Sequence, residues 1–425
     1  MLIRLLIFAL IFAAILGLAS TYLYRRLARS FDLGRRVRLA LTVVLGVSSA
    51  LAVSLRVLGR VPRRLLEPVE LVAYTILLAS VVAAVLLGVI DLTVFLARLV
   101  VQAKRRVFAP TALASSSVPL APIAPADPSP PEPAIVTLPA PLPEVSRRSF
   151  LARATAGSAV FVGVSSSVYG TLVGRHDYVI DEVPVRIPGL SRRLDGFTIV
   201  QLSDIHVGTF VDEAELRAAE DLVRRARPDL VILTGDLIDH DPRFVDTLGR
   251  FVRRLAAIPR HGVVAIPGNH DYYTGLDAVR AAITGAGATM LVNDGRVIGD
   301  AGAGFALLGV DDVFGPRTDP RSSGPDLDRA IAAVPASLPR VLLCHNPQFF
   351  PRAAGKVALQ LSGHTHGGQL NFGVVPARLV LGHPFIAGGY RLGETSLYVN
   401  RGFGTAGPPA RIGAPPEVSR IILTG

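Results

Sequence analysis

The chain has 425 residues, half of them hydrophobic and only 18% charged, with a mean hydropathy of +0.46. That excludes a disordered chain and is too apolar for an ordinary soluble protein; a single cysteine, Cys344, excludes an intramolecular disulfide framework and any Cys-rich metal site. The formal net charge of +11 suggests a nucleic-acid binder, but residues 1–176 hold 19 Lys and Arg against 7 Asp and Glu, whereas residues 177–425 hold 25 against 26. The C-terminal part therefore lacks a basic footprint for a phosphate backbone, and no nucleic-acid partner is expected.

The N-terminal part reads as membrane. Leu5–Leu23 is an uninterrupted apolar run, Leu39–Leu55 a shorter one, and Leu71–Leu96 a third, interrupted only by Asp91. The first and third are long enough to cross about 30 Å of hydrocarbon. Asp91 lies close enough to the end of its run to reach the interface. From Pro110 to Glu144, Pro, Ala and Ser dominate and no hydrophobic period survives, so this is a semi-extended linker. It ends in Ser146-Arg147-Arg148-Ser149-Phe150-Leu151, followed by the Gly- and Ser-rich, mildly apolar stretch Ala154–Val173. Paired arginines ahead of such a stretch resemble a twin-arginine export signal. Val164-Ser165-Ser166 is a poor cleavage site, so an uncleaved fourth span is favoured.

Arginine bias sets the topology. Arg25, Arg26, Arg29, Arg35, Arg36 and Arg38 fill the first loop, and Arg98, Lys104, Arg105 and Arg106 follow the third run. Placing both groups inside puts residues 177–425 on the extracytoplasmic side of a multi-pass protein; Arg60, Arg63 and Arg64 run against this count. Four segments result: a three-span transmembrane region 1–106, a Pro/Ala-rich linker 107–145, a signal or anchor helix 146–176 and a globular domain 177–425.

That domain reads as α/β. Strand-like runs at Phe197–Asp204, Leu230–Thr234, Val263–Pro267, Arg340–Cys344 and Val357–Leu361 end in polar clusters. Helical stretches at Asp212–Arg225 and Arg243–Leu255 lie between the first of them. Such alternation implies a layered sheet with helices outside and functional loops gathered at strand ends. Gly367–Pro416 reads as a long loop region before a closing strand pair ending at Ile421–Leu423.

Every strand end carries residues of metal-ligand type: Asp204-Ile205-His206, Gly235-Asp236-Leu237-Ile238-Asp239, Gly268-Asn269-His270-Asp271, Cys344-His345-Asn346 and Gly363-His364-Thr365-His366. One such residue would be a cap or a satisfied core group; five loops in succession are not. Imidazole nitrogen with carboxylate oxygen suits Mn, Fe or Zn. Strand alternation would turn Asp204 and His206 to one face, and likewise His364 and His366. Glycines at 235, 268 and 363 would permit the turns. The ligands are too many for one four-coordinate ion, and two ions sharing a carboxylate fit the count.

The ordered set D-x-H, G-D-x-x-D, G-N-H-D, a lone His and G-H-T-H resembles the calcineurin-like metallophosphoesterase superfamily. Gly367-Gly368-Gln369 and Tyr398-Val399-Asn400-Arg401-Gly402 are similar to its bacterial membrane-associated, twin-arginine-exported branch. The resemblance covers 200–366 in motifs and extends over 180–425 in fold. It implies a four-layer α-β-β-α sandwich, here preceded by the transmembrane helical region. It also implies two divalent metal ions, with Mn favoured: one on Asp204, His206, Asp236 and His366, the other on Asp236, Asn269, His345 and His364. The implied activity is that of a metal-dependent phosphoric ester hydrolase acting on a mono-, di- or pyrophosphate ester by in-line attack of a metal-bridging hydroxide. His270 would serve the leaving oxygen, and Asp239 would orient His270 and keep it protonated. Asp271 reads as a loop stabiliser and Arg401 as a candidate substrate contact. Tethering at the membrane points to a lipid-linked or envelope substrate, and export would need the twin-arginine machinery. A signalling or transport module with a ligand-binding, non-catalytic domain is the alternative, which the intact ligand set and His270 oppose. The near-neutral domain opposes a nuclease.

Overall fold

The computed structural model describes residues 2–54, 63–107, 146–300, 302–373, 378 and 382–425; the Pro/Ala-rich linker lies outside these. The apolar runs form long helices: α1 (Leu2–Phe31), α2 (Arg35–Ser54), α3 (Arg63–Val107) and α4 (Arg147–Leu172). By length and composition, Glu67–Lys104 and Arg147–His176 can each cross a membrane.

Small residues let α3 and α4 approach closely. A Cβ on Gly163 of α4 would lie 2.5 Å from the Ala79 carbonyl oxygen, and Ala156, Ala159 and Ser167 of the same face are buried. Leu23 of α1 packs with Ala83, Ala84 and Leu87 of α3 and Ala159 of α4. Asp91 is not solitary. Its carboxylate accepts from the Tyr22 hydroxyl at 2.8 Å and pairs with Arg26 at 3.2 Å, tying α1 to α3.

The C-terminal domain stacks two six-stranded sheets. Its elements are β1 (Val179–Arg186), β2 (Thr198–Leu202), α5 (Glu213–Ala226), β3 (Leu230–Thr234), α6 (Val245–Ala256), β4 (Val263–Ile266), α7 (Asn269–Thr274), α8 (Leu276–Gly285), β5 (Thr289–Met290), β6 (Asp294–Asp300), β7 (Ala303–Gly309), β8 (Arg340–Leu343), β9 (Leu359–Ser362), β10 (Gly388–Leu392), β11 (Thr395–Val399) and β12 (Glu417–Thr424). The first sheet runs β1-β12-β2-β3-β4-β5 and the second β10-β11-β9-β8-β7-β6.

Period-2 alternation divides each strand between two cores. Leu230 and Ile232 of β3 face the second sheet and pack with Leu307, Val341, Leu343, Leu359 and Leu361. Val231 and Leu233 turn the other way, toward Leu216 and Leu222 of α5, Phe251 and Leu255 of α6, and Val279 and Ile283 of α8. On the far side, Ala306, Leu308 and Leu342 are covered by Leu327 and Ala330 of a short helix and by Phe349 and Ala353. The result is the expected α-β-β-α sandwich. Asp212 and Glu215 close a reciprocal capping box at the start of α5.

Two parallel runs, β2-β3-β4 and β7-β8-β9, bring their carboxyl ends to one edge of the sandwich. The region after Gly367 departs from expectation. It contains the hairpin β10–β11, and instead of a closing pair a single strand, β12, lies parallel to β1 and antiparallel to β2. Strands β1, β5, β6 and β7 are also absent from the sequence reading.

Candidate metal centre

All five motif loops meet where the parallel strands end. Asp204, His206 and His366 form one group of potential ligand atoms within 4.8 Å of one another, and Asp236, His345 and His364 form a second. The groups touch. His206 Nε2 lies 3.1 Å from His366 Nε2, and Asp236 Oδ2 lies 3.7 Å from His206 Nε2 and 3.3 Å from His345 Nε2. His366 Nε2 is 3.4 Å from Asp204 Oδ1, and His364 Nδ1 is 3.3 Å from His345 Nε2. Asp236 thus stands between the two groups. Asn269 is buried at the start of α7, and its Oδ1 has no hydrogen-bond partner among the described residues.

Convergence is achieved differently from the expected strand alternation. Asp204 and His206 lie beyond the end of β2, as do His364 and His366 beyond β9. Instead, Asp204, His206, Asp236, His364 and His366 all have positive φ, between 50° and 72°. Left-handed backbone costs a non-glycine residue of order 1–3 kcal/mol and persists only where the surroundings over-determine it. Here they do. Both Asp204 oxygens accept from the His364 N–H at 3.0 Å, and Ser203 Oγ donates to Asp204 Oδ2 at 2.5 Å. The His270 N–H donates to Asp236 Oδ1 at 2.8 Å. Asp271 accepts from the N–H groups of Leu237, Ile238 and Gly268, confirming its loop-holding place.

The three glycines serve close approach more than unusual dihedrals. Only Gly235 has positive φ (85°); a Cβ there would also lie 2.6 Å from His345 Nδ1. A Cβ on Gly268 would meet Asp236 N at 2.3 Å, and one on Gly363 would meet Ser203 Oγ at 1.9 Å and Asp204 Oδ2 at 2.2 Å. Gly363→Ala is therefore expected to displace Asp204 and cut Mn²⁺ affinity by roughly tenfold or more, about 1.4 kcal/mol. Calorimetric titration of the variant against the parent protein checks this.

The electrostatics favour ligation. Burial pushes the pKa of His206 down to about 4 and that of His364 to about 3, and it lowers His366 as well. Neutral imidazoles offer lone pairs to a cation. His345 goes the other way: burial opposes its charge, but Asp236 and Asp204 outweigh burial and raise it. The donor set is imidazole, carboxylate and one amide oxygen, aimed at shared points. It fits divalent transition metals.

His270 sits at the edge of this centre. Its Nδ1 lies 2.9 Å from the Asp239 carbonyl oxygen and 3.4 Å from Asp239 Oδ1. Burial works against its charge, but Asp236 and Asp239 prevail and raise its pKa to about 9. Asp239 also pairs with His240 at 3.0 Å, a contact that the sequence reading missed. Tyr273 lines the cleft, its ring 5.3 Å from that of His270, and is half exposed. Tyr272 instead packs inward and donates its hydroxyl to Asp311.

Arg401 and Arg411 both engage other groups of the protein. Arg401 is held by Asp181 at 2.6 Å and Glu417 at 3.1 Å, and its side chain lies against Gly367. Its charge is thus paired within a cluster of carboxylates. Arg411 is buried and donates to backbone carbonyls of Arg401, Gly402, Gly404 and Ala414. The reading also missed Asp312, buried at the end of β7 with its Oδ1 accepting from the Phe314 N–H. Its signal, the apolar run AGFALLG before Val310-Asp311-Asp312, is a strand end like the other five.

Comparison with known proteins agrees with this geometry. Residues 197–368 match the family described as calcineurin-like phosphoesterase. A metallophosphoesterase of Aquifex aeolicus is 32% identical over 53% of this chain and 85% of its own length. The chain belongs to the calcineurin-like phosphoesterase family. A transmembrane protein with metallophosphoesterase domain from Danio rerio is 31% identical over 62% of each chain. A metallophosphoesterase of Bacillus subtilis is 28% identical over 66% of this chain and 98% of its own. The match thus spans less than two thirds of the zebrafish relative.

Proposed function

We propose that this protein is a membrane-anchored phosphoesterase with a dinuclear metal centre. The observation that carries the reading is the pair of adjoining ligand groups with Asp236 standing between them. One ion would be held by Asp204, His206, Asp236 and His366, the other by Asp236, Asn269, His345 and His364, and Mn²⁺ suits this mixed donor set. Two such cations supply Lewis acidity toward the phosphate and the water that attacks it. The protein's own groups do the rest. Asp236 would serve both ions, His270 gives its proton to the leaving oxygen, and Asp239 orients His270 and keeps it charged. The substrate class is a phosphate mono-, di- or pyrophosphate ester, with a lipid-linked phosphate in keeping with the anchor.

The bundle supports an extracytoplasmic active site and an uncleaved α4. Arg26, Asp91 and the Arg153–Ser30 contact lie at one end of the helices. Tyr74 and Thr171 lie near the other, where Tyr74 meets Phe210 of the catalytic domain. Tyr74 and Asp91 are 17 positions apart, about 25 Å along a helix. An arginine-rich end opposite the catalytic domain is what export through the twin-arginine machinery would leave.

The test is hydrolysis of an aryl phosphate by the purified full chain. Mn²⁺ should stimulate turnover, a chelator should abolish it, and His364→Ala should remove it. Metal binding without turnover across mono-, di- and pyrophosphate substrates would refute the enzymatic reading.

A further inference from the structure

The His366 loop is the most strained part of the centre, and it leans on the helix bundle. Four consecutive residues, His366, Gly367, Gly368 and Gln369, have positive φ of 52°, 60°, 82° and 42°. Two of these are not glycine, so the run persists only because its surroundings hold it. The holding is done by residues 404–412. The Gln369 side chain donates to the Ala406 and Pro408 carbonyls at 3.1 and 2.9 Å and accepts from the Ala406 N–H at 2.9 Å. The Ile412 N–H donates to the Gln369 carbonyl, and the Asn371 N–H to the Ile412 carbonyl. Arg411 Nη2 reaches to 3.4 Å from His366 Nδ1, the ring nitrogen on the far side from Asp204 and His206.

That holding segment rests in turn on α4 and α3. The Arg411 N–H donates to the Gly170 carbonyl at 3.0 Å. Gly170 in the last turn of α4 and Gly174 in the short turn that follows it form a G-x-x-x-G pair. A Cβ on Gly174 would lie 2.1 Å from the Arg411 carbonyl oxygen, and one on Gly170 would lie 2.8 Å from Ile412 Cγ1. Ala410 packs with Leu78 and Val82 of α3, against Leu370. Small-residue pairs of this kind ordinarily bring two helices together; here one seats a helix on the segment that holds the loop of a proposed metal ligand.

We propose that α4 is a working part of the metal centre: by seating Gly170 and Gly174 on the backbone of Arg411, it positions His366 as a ligand. This rests on the dinuclear reading above. Arg411 acts here as a positioning residue. The anchor helix is then retained in the mature protein because the site needs it, beyond any need for tethering.

The test is titration of the detergent-solubilised full chain with Mn²⁺, read by calorimetry and by metal content after desalting. Gly174→Val should weaken one of two Mn²⁺ ions at least tenfold and leave the other within about twofold. Because a valine there could disturb folding, Gln369→Ala, which removes three hydrogen bonds without adding bulk, should give the same selective loss while the protein still unfolds cooperatively at a somewhat lower temperature. Gly157→Ala, also on α4 but with only Phe31 near, at 3.7 Å, should bind two ions as the parent does. Two ions bound at parental affinity in both Gly174→Val and Gln369→Ala would overturn the proposal. Failure of the unaltered chain to bind two ions would instead refute the dinuclear reading.

Discussion

Asp236→Asn should reduce turnover by about 10³-fold or more and leave the protein unable to retain two metal ions after desalting. The reason is electrostatic. Two divalent charges about 3.5–4 Å apart repel by roughly 17–19 kcal/mol even at an effective dielectric near 20. A carboxylate shared between them is the device that offsets this. Asp236 is the side chain placed for it, with Oδ2 facing both His206 and His345. Asparagine has the same shape and can still accept the His270 N–H through its amide oxygen, so the loop should keep its form. In the metal-free protein the substitution strips His345 and His270 of the anion that raises them, so thermal stability should fall. Metal analysis, turnover with an aryl phosphate and a thermal unfolding curve together check this. Two ions retained with full activity would show that Asp236 does not bridge.

Much of this centre was legible because its chemistry is carried by residue types at strand ends. His and Asp recurring after β2, β3, β4, β8 and β9 need no tertiary information to be noticed. The boundaries of β3 coincide with the expected run, and β4 and β8 differ from theirs by one residue. The cause of convergence was not legible. Alternation along a strand predicts that i and i+2 share a face, but Asp204 and His206 follow the strand and are turned by left-handed backbone. Nothing in a non-glycine residue's identity announces positive φ, since the contacts that enforce it, such as His364 N–H to Asp204, join positions 160 residues apart. Asp312 escaped notice because β7 begins in glycine and alanine and lacks the branched residues that mark a strand. The Gly170–Gly174 pair was read as part of a weakly apolar span, and only the packing shows that it faces a loop.

The second large effect should fall on His270. His270→Ala is expected to lower kcat by roughly 10²–10⁴-fold while both metal ions remain bound, because His270, which groups with His206 and Asp239, is not among the proposed ligands of either ion. The loss should depend on the leaving group. A phenolate with a low pKa departs without a proton, so a nitrophenyl ester should lose far less than an alkyl phosphate, whose alkoxide needs one. Asp239 provides the second part of the argument. Its carboxylate and carbonyl both face His270 Nδ1, and bound cations would share the charge of Asp236, leaving Asp239 as the anion that keeps the ring protonated. Asp239→Asn should therefore imitate His270→Ala in direction, with a smaller loss, and the double variant should be no worse than His270→Ala alone, as for residues acting as one unit. Steady-state kinetics on the two esters, with metal content measured in parallel, decide the matter. Equal losses on both esters would remove His270 from proton transfer, and additive losses in the double variant would separate Asp239 from it.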